Sequence, residues 1–243
     1  MLACVELMPY SGGLTRNIVQ CLEDYNIPLY LSHTVTDIKG HDRVEQIVVS
    51  KVDERRNPIP GTEMVFDCDT LLLSVGLIPE NELTRQAGIQ MDRRTNGAIV
   101  YENMETSVPG IFACGNVVHV HDLVDYVTAE SQRAGQAAAA YALSTPADEE
   151  PALELANGDG VSYTVPQHIR VSRVEKAAGV FFRVNRVMKK SEILATDETG
   201  AVIARFKRAH MAPGEMEHID LPAALLQKAQ GKLTIRTQEV SEA

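Results

Sequence analysis

The stretch Thr106-Ser107-Val108-Pro109-Gly110-Ile111-Phe112-Ala113-Cys114-Gly115-Asn116, followed by an alanine-rich helical pattern from Thr128 to Leu143, constrains this chain more than any other. A short apolar run closed by Gly and a polar residue lets the backbone turn and approach an anion closely, because glycine has no Cβ to obstruct it. A helix opening just beyond turns its unpaired N–H groups and positive dipole end toward the same place. Ala134, Ala137, Ala138 and Ala142 allow that helix to lie close against a sheet.

The rest of the chain reads in two styles. Leu2 to Glu6 is a short apolar run ending in an acid, and Leu14 to Tyr25 carries Leu14, Ile18, Val19 and Leu22 at helical spacing. Ile27 to Leu31 predicts a second strand. Thr34 to Ile38, Val44 to Val52 and Thr62 to Phe66 predict a meander, broken at Lys39-Gly40-His41-Asp42 and Asn57-Pro58-Ile59-Pro60-Gly61. Thr70-Leu71-Leu72-Leu73-Ser74-Val75 is nearly all apolar, the signature of a strand covered on both faces in the middle of a sheet. A short helix over Asn81 to Ala87, closed by Gly88, and strands at Ala98 to Val100 and Ile111 to Ala113 follow. Ser144 to Gly160 has linker composition. Beyond it, strands come at short intervals: Ser162 to Val165, Ile169 to Val174, Gly179 to Val187, Glu192 to Thr196, Val202 to Ala209, Met216 to Asp220 and Lys232 to Thr237. Only Ala223 to Ala229 reads as helical there, and a small antiparallel sandwich or barrel fits the spacing.

Charge divides the chain at the same place. Residues 1–150 hold 10 Lys/Arg and 22 Asp/Glu, whereas 151–243 hold 13 and 11. A net charge of -10 argues against a nucleic-acid footprint. No apolar run approaches the roughly 20 residues of a membrane helix, and no secretory pattern follows Met1, so a cytoplasmic protein is expected. Cys4, Cys21, Cys68 and Cys114 are widely spaced without a C-x-x-C pair, which predicts buried free thiols and no zinc knuckle or redox disulfide.

Two landmarks in order, Ser74-Val75-Gly76-Leu77-Ile78-Pro79-Glu80-Asn81 and Ile111-Phe112-Ala113-Cys114-Gly115-Asn116, make roughly residues 1–145 resemble the two-dinucleotide-binding-domain flavoprotein oxidoreductases. This is the pyridine nucleotide-disulfide oxidoreductase-like group, with its glutathione reductase-like and thioredoxin reductase-like members. The resemblance implies an α/β fold with partial Rossmann-like domains, a partial NAD-binding domain at 1–78 and a returning part of the FAD-binding domain at 79–145. Composition and strand spacing add a linker at 146–160 and a small all-β, sandwich-like C-terminal module at 161–243. Gly115 and Asn116 would lie against the FAD ribityl chain and pyrophosphate. Val127 and Thr128, at the helix start, would aim N–H groups at the flavin pyrimidine edge. Asn116 stands where the family usually places Asp. Glu6 corresponds to the acid that binds the adenosine ribose and prefers NAD over NADP, and Gly76 belongs to the same dinucleotide site. A lone acid at a strand end also reads as a solvated terminus.

The family's two G-x-G-x-x-G phosphate loops do not occur, and Ser11-Gly12-Gly13 follows the acid instead of preceding it. The chain is therefore expected to be the C-terminal part of an FAD- and NAD-linked oxidoreductase, or to need an N-terminal FAD/NAD-binding segment or subunit. Alone it should bind either dinucleotide poorly. The redox Cys pair of the disulfide reductases is missing, so a separate small-molecule or protein electron acceptor is implied. Catalytic residues, acceptor and oligomeric state, a homo-oligomer included, stay open. The alternative class is a non-catalytic subunit or interaction module that keeps part of the flavoprotein fold.

His119-Val120-His121-Asp122 offers two imidazoles and an acid, but residues two apart share a face only in a strand and no third ligand is apparent. The loop is read as polar lining of the cofactor site, and no metal is expected. Asp122 and Asp125 read as capping or first-turn acids. The C-terminal module reads as packing or partner surface.

Overall fold

Two units, Met1–Gly76 and Leu77–Ala243, make up the chain in the computed structural model, which describes residues 1–143 and 150–240. In the first unit β1 (Cys4–Glu6) runs parallel to β2 (Leu29–Leu31), with Cys4 opposite Leu29 and Glu6 opposite Leu31. Parallel neighbours need a crossover, and α1 (Thr15–Cys21) with a 3-10 turn at Glu23–Tyr25 supplies it. The predicted meander forms as β3 (His33–Lys39), β4 (Gln46–Lys51) and β5 (Met64–Asp67), in that order across an antiparallel sheet. Ile47, Val48 and Val49 are buried because β4 is paired on both sides. The β3–β4 turn requires Gly40, where φ is +132° and a Cβ would stand 1.9 Å from the Arg43 carbonyl oxygen.

The expected central strand at residues 70–75 does not form. Leu72, Leu73 and Val75 are 74%, 70% and 86% exposed, and no strand among the described residues pairs with them. A continuous apolar run reports the capacity to be covered on two faces; the cover must come from other strands, and none engages it here.

The second unit opens with α2 (Glu82–Gln86), followed by Gly88 at φ +72°. The expected strands at 98–100 and 111–113 are reduced to isolated pairings, Met91 with Ala98, Val100 with Thr106 and Glu105 with Phe112. The chain reverses at 92–97 and again at 101–105, which leaves too few residues for a ladder. Ala98, Val100, Met104 and Val118 nonetheless form a small core with Ala134 of α3 (Val124–Leu143). That helix begins four residues before Thr128. The first turn, Val-Asp-Tyr-Val, is made of weak helix formers, so its boundary was not visible in propensity.

Among the described residues eight strands follow: β6 (Leu153–Asn157), β7 (Val161–Val165), β8 (His168–Ile169), β9 (Ala177–Val184), β10 (Met188–Thr196), β11 (Val202–Met211), β12 (Glu217–Pro222) and β13 (Leu233–Glu239). A four-residue α4 (Ala223–Leu226) precedes β13. They form a five-stranded sheet of order β11-β10-β13-β6-β8 and a three-stranded sheet of order β12-β9-β7. Phe182, Val180 and Leu221 from the smaller sheet share one core with Ile193, Ile235 and Leu233 from the larger. β6 lies inside the segment expected as linker, because Leu153 and Leu155 alternate inward and pair with β13 and β8 while the polar residues between them supply the linker-like composition. Residues 144–149 of that segment lie outside the described residues. The run expected as a strand at 169–174 is β8 followed by a 3-10 turn at Val171–Arg173. The four cysteines are free but none is buried: Cys21 is exposed and the others are partly so, since their elements are short or at an edge.

Arg170 ties the 101–105 turn to the strands. Its guanidinium reaches Glu102 at 3.0 Å and Glu105 at 2.6 Å, donates to Asn103 at 2.7 Å and stacks 4.2 Å over the Tyr101 ring. Both carboxylates are buried. Arg170→Met should therefore cost about 3–5 kcal/mol by leaving two buried carboxylates uncompensated. The triple variant R170M/E102Q/E105Q should recover much of that loss, read as the denaturant midpoint. At Gly97 a Cβ would sit 1.9 Å from the Val118 carbonyl oxygen, so G97A should lower stability by about 2 kcal/mol. G135A in α3, where a Cβ meets nothing, should instead stabilise by about 0.5–1 kcal/mol.

Candidate functional site

The segment from Cys114 to Leu123 is short of regular structure and rich in fixed contacts. Cys114 is extended, Gly115 turns at φ +74°, and Gly115–Val117 makes one 3-10 turn. The buried Asn81 side chain donates from Nδ2 to the carbonyls of Val117 at 2.8 Å and Asn96 at 2.9 Å. The Oδ1 atom of Asn116 accepts the His121 N–H at 3.1 Å and closes the loop on itself.

Glu130, in the second turn of α3, is the anchor. Its Oε1 accepts the Gly115 N–H at 3.0 Å, while its Oε2 receives Nε2 of His119 at 3.0 Å and of His121 at 2.7 Å. All three side chains are buried. Burial works to raise the Glu130 carboxyl, but hydrogen bonds from the two imidazoles outweigh it and hold the group down to about 2. Burial pushes His119 the other way, toward the neutral form. An ionised carboxylate oxygen only accepts, so both rings carry their proton on Nε2. Each Nδ1 is buried and has no hydrogen-bond partner among the described residues.

The C-terminal strands build the walls. Phe181 of β9 lies 5.9 Å from the His119 ring and 5.7 Å from the His121 ring, and Tyr163 of β7 meets His119 edge-on at 5.9 Å. Arg183 of β9 donates to the Val120 carbonyl at 3.0 Å, to Asp122 at 3.4 Å and to the Tyr163 hydroxyl at 3.2 Å. Asp122 also accepts the Met216 N–H at 3.2 Å. Asp122 is thus a tie to the strands and not a helix cap, whereas Asp125 does lie in the first turn of α3. The expectation of a C-terminal part devoted to packing or partners overlooked these ties because they span 60 or more residues of sequence.

An open cleft of about 510 Å3 borders this segment, with Gly115, Asn116, His121, Asp122, Val124 and Val127 on its walls. Gly115, Asn116 and Val127, three of the predicted site residues, therefore meet at one surface. Thr128 stands one turn into the helix, with its hydroxyl donating to the Val124 carbonyl, so the helix start expected at Val127 and Thr128 is corrected to Val124. Glu6 and Gly76 belong to the other unit. Glu6 ends β1 and accepts the Met8 N–H at 2.8 Å; Gly76, at φ +94°, has open space where a Cβ would be. Glu130 and Asn81 had no signature in the sequence: an acid in an alanine-rich helix and an Asn before a short helix both read as ordinary surface and cap residues.

The cleft can be tested against a flavin. A Cβ on Gly115 would stand 3.4 Å from Val127 and force a left-handed backbone on a side chain, which fits a position reserved for close backbone approach. No lysine or arginine among the described residues lines the cleft, and Asp122 and Asp125 stand near the helix end. These residues suit a neutral polyol arm better than a pyrophosphate.

Among curated proteins, the NADH oxidase of Streptococcus pneumoniae serotype 4 is 33% identical over 114 residues, 46% of this chain and 22% of that protein. The ferredoxin reductase component of chlorobenzene dioxygenase from Cupriavidus sp. is 32% identical over 125 residues, 49% of this chain and 27% of that protein. The chain thus spans about a quarter of the length of these relatives. A thioredoxin reductase from Giardia duodenalis is a structural neighbour at 16% identity and a TM-score of 0.35, over 58% of this chain and 44% of that one. The model of one family, described as pyridine nucleotide-disulphide oxidoreductase, matches residues 4–142. With more than half of its length matched, the chain belongs to the pyridine nucleotide-disulphide oxidoreductase family.

Proposed function

We propose that this chain is the C-terminal part or a subunit of an FAD-dependent oxidoreductase that passes hydride between NAD(H) and flavin and serves a separate electron acceptor. The family's cofactors, FAD and a nicotinamide dinucleotide, are the pair expected from the sequence. The isoalloxazine supplies the redox chemistry when bound, and the protein's work is positioning and exclusion of water. The observation that carries the reading is Gly115, held left-handed at the cleft edge with its N–H fixed by Glu130. In this reading the backbone at Gly115 and the Asn116 amide, whose Oδ1 is already engaged, meet the ribityl arm. The first turn of α3, with Val127, faces the flavin edge, and Thr128 supports that turn through its bond to Val124. Glu6 and Gly76 serve the nicotinamide dinucleotide, with NAD preferred.

Residues 1–78 are taken as the partial NAD-binding domain, which the division of units after Gly76 supports, and 79–145 as the returning part of the FAD domain. The exposed Leu72, Leu73 and Val75 support a further segment or subunit that completes the sheet and supplies the missing phosphate loops. No helix among the described residues is long and apolar enough to cross a membrane, and a cytoplasmic location is part of the proposal.

The full-length protein should purify yellow with about one FAD per chain and should bleach on anaerobic addition of NADH. Gly115→Ala should weaken FAD binding about tenfold, from roughly 1–2 kcal/mol of left-handed strain. Glu6→Gln should raise the KM for NADH while leaving the flavin reduction rate at saturation nearly unchanged. A colourless full-length protein that does not take up FAD overturns the reading and favours the non-catalytic module.

A further inference from the structure

We infer that His119, His121 and Glu130 form a binding site for one divalent transition-metal ion of the zinc class. The three candidate ligand atoms lie within 4.8 Å of one another, on side chains that are buried. Both Nε2 atoms already converge on a single carboxylate oxygen, at 2.7 Å and 3.0 Å. Around an ion with bonds of about 2.0–2.1 Å, tetrahedral ligand atoms stand about 3.3 Å apart, so the two Nε2–Oε2 separations of 3.0 Å and 2.7 Å need to widen by about 0.3–0.6 Å. Two imidazoles and one carboxylate are donors that suit zinc, nickel or ferrous iron better than calcium or magnesium.

Charge points the same way. The Asp122–Arg183 pair beside the cluster is neutral as a whole, so among the described residues Glu130 is paired with the two histidines alone. A metal bound at the two Nε2 atoms displaces the protons they now share with Glu130. His121 also lines the open cleft, which gives an ion a route to the cluster. The inference does not depend on flavin binding at the cleft.

The test uses full-length protein, stripped with a chelator and shown by near-UV circular dichroism to stay folded. It should take up about one equivalent of Zn2+ by mass spectrometry of total metal, with imidazole scattering at about 2.0 Å at the zinc K edge. H119Q, H121Q and E130Q should each weaken uptake at least about tenfold, while H41Q, at an exposed His–Asp pair, should leave it unchanged. Wild-type uptake below about 0.1 equivalent of Zn2+, Co2+ and Ni2+ overturns the inference whatever the variants do. An absorption edge without imidazole scattering overturns it equally.

Discussion

One ionised carboxylate, Glu130, fixes three groups at once: a backbone turn and two histidine rings. Taking a carboxylate out of water costs several kcal/mol, and only good hydrogen bonds offset that. Bonds to a charged acceptor contribute roughly 1.5–3 kcal/mol each, so three of them are on the scale needed to keep the group ionised inside the protein. The consequence is positional. Gly115 cannot leave its left-handed turn without stripping a donor from a buried anion, so its backbone is held rigid at the rim of the cleft.

The helix carrying Glu130 puts two adjacent faces to different uses. Glu130 and Ala134, one turn apart, are its buried residues, whereas Val127 and Ser131 line the cleft. Asn81 holds the other side of the loop through the Val117 carbonyl, and Arg183 holds its far end through Val120 and Asp122. The loop is therefore clamped from a short helix, a long helix and a strand, with little regular structure of its own. The same device recurs at Arg170, where a buried cation gathers Glu102, Glu105 and Asn103 and binds a turn to the strands. In both places an irregular segment is held by one buried charge with several partners.

What the sequence made legible follows from range. The meander in the first unit and the C-terminal strands were readable because alternation and turn residues are local, and β3, β4, β7 and β11 stand within two or three residues of where the pattern put them. Gly115 and Asn116 were readable as a turn at a concave edge. Glu130 was not, since its partners lie 9, 11 and 15 residues away and are brought together only by the turn geometry. The third partner for His119 and His121 was missing from the sequence reading for the same reason: a carboxylate on a helix face has no motif linking it to a loop upstream. β6 was hidden by composition, because two inward leucines among acidic and small residues look like linker until the strands beside them are known.

The run at 70–75 failed in the opposite direction, and its failure is informative. Periodicity states what a segment requires, not whether the requirement is met within the chain. Leu72, Leu73 and Val75 would each gain about 1.5–3 kcal/mol from full burial, and at 70–86% exposure almost none of that is collected. A neighbouring meander with a buried central strand shows that this unit covers apolar residues where strands are present to do so. The unmet demand is therefore local to residues 70–75, beside Gly76, and it sets what a covering segment would bring: an extended backbone to pair with this run and an apolar face to meet the leucines.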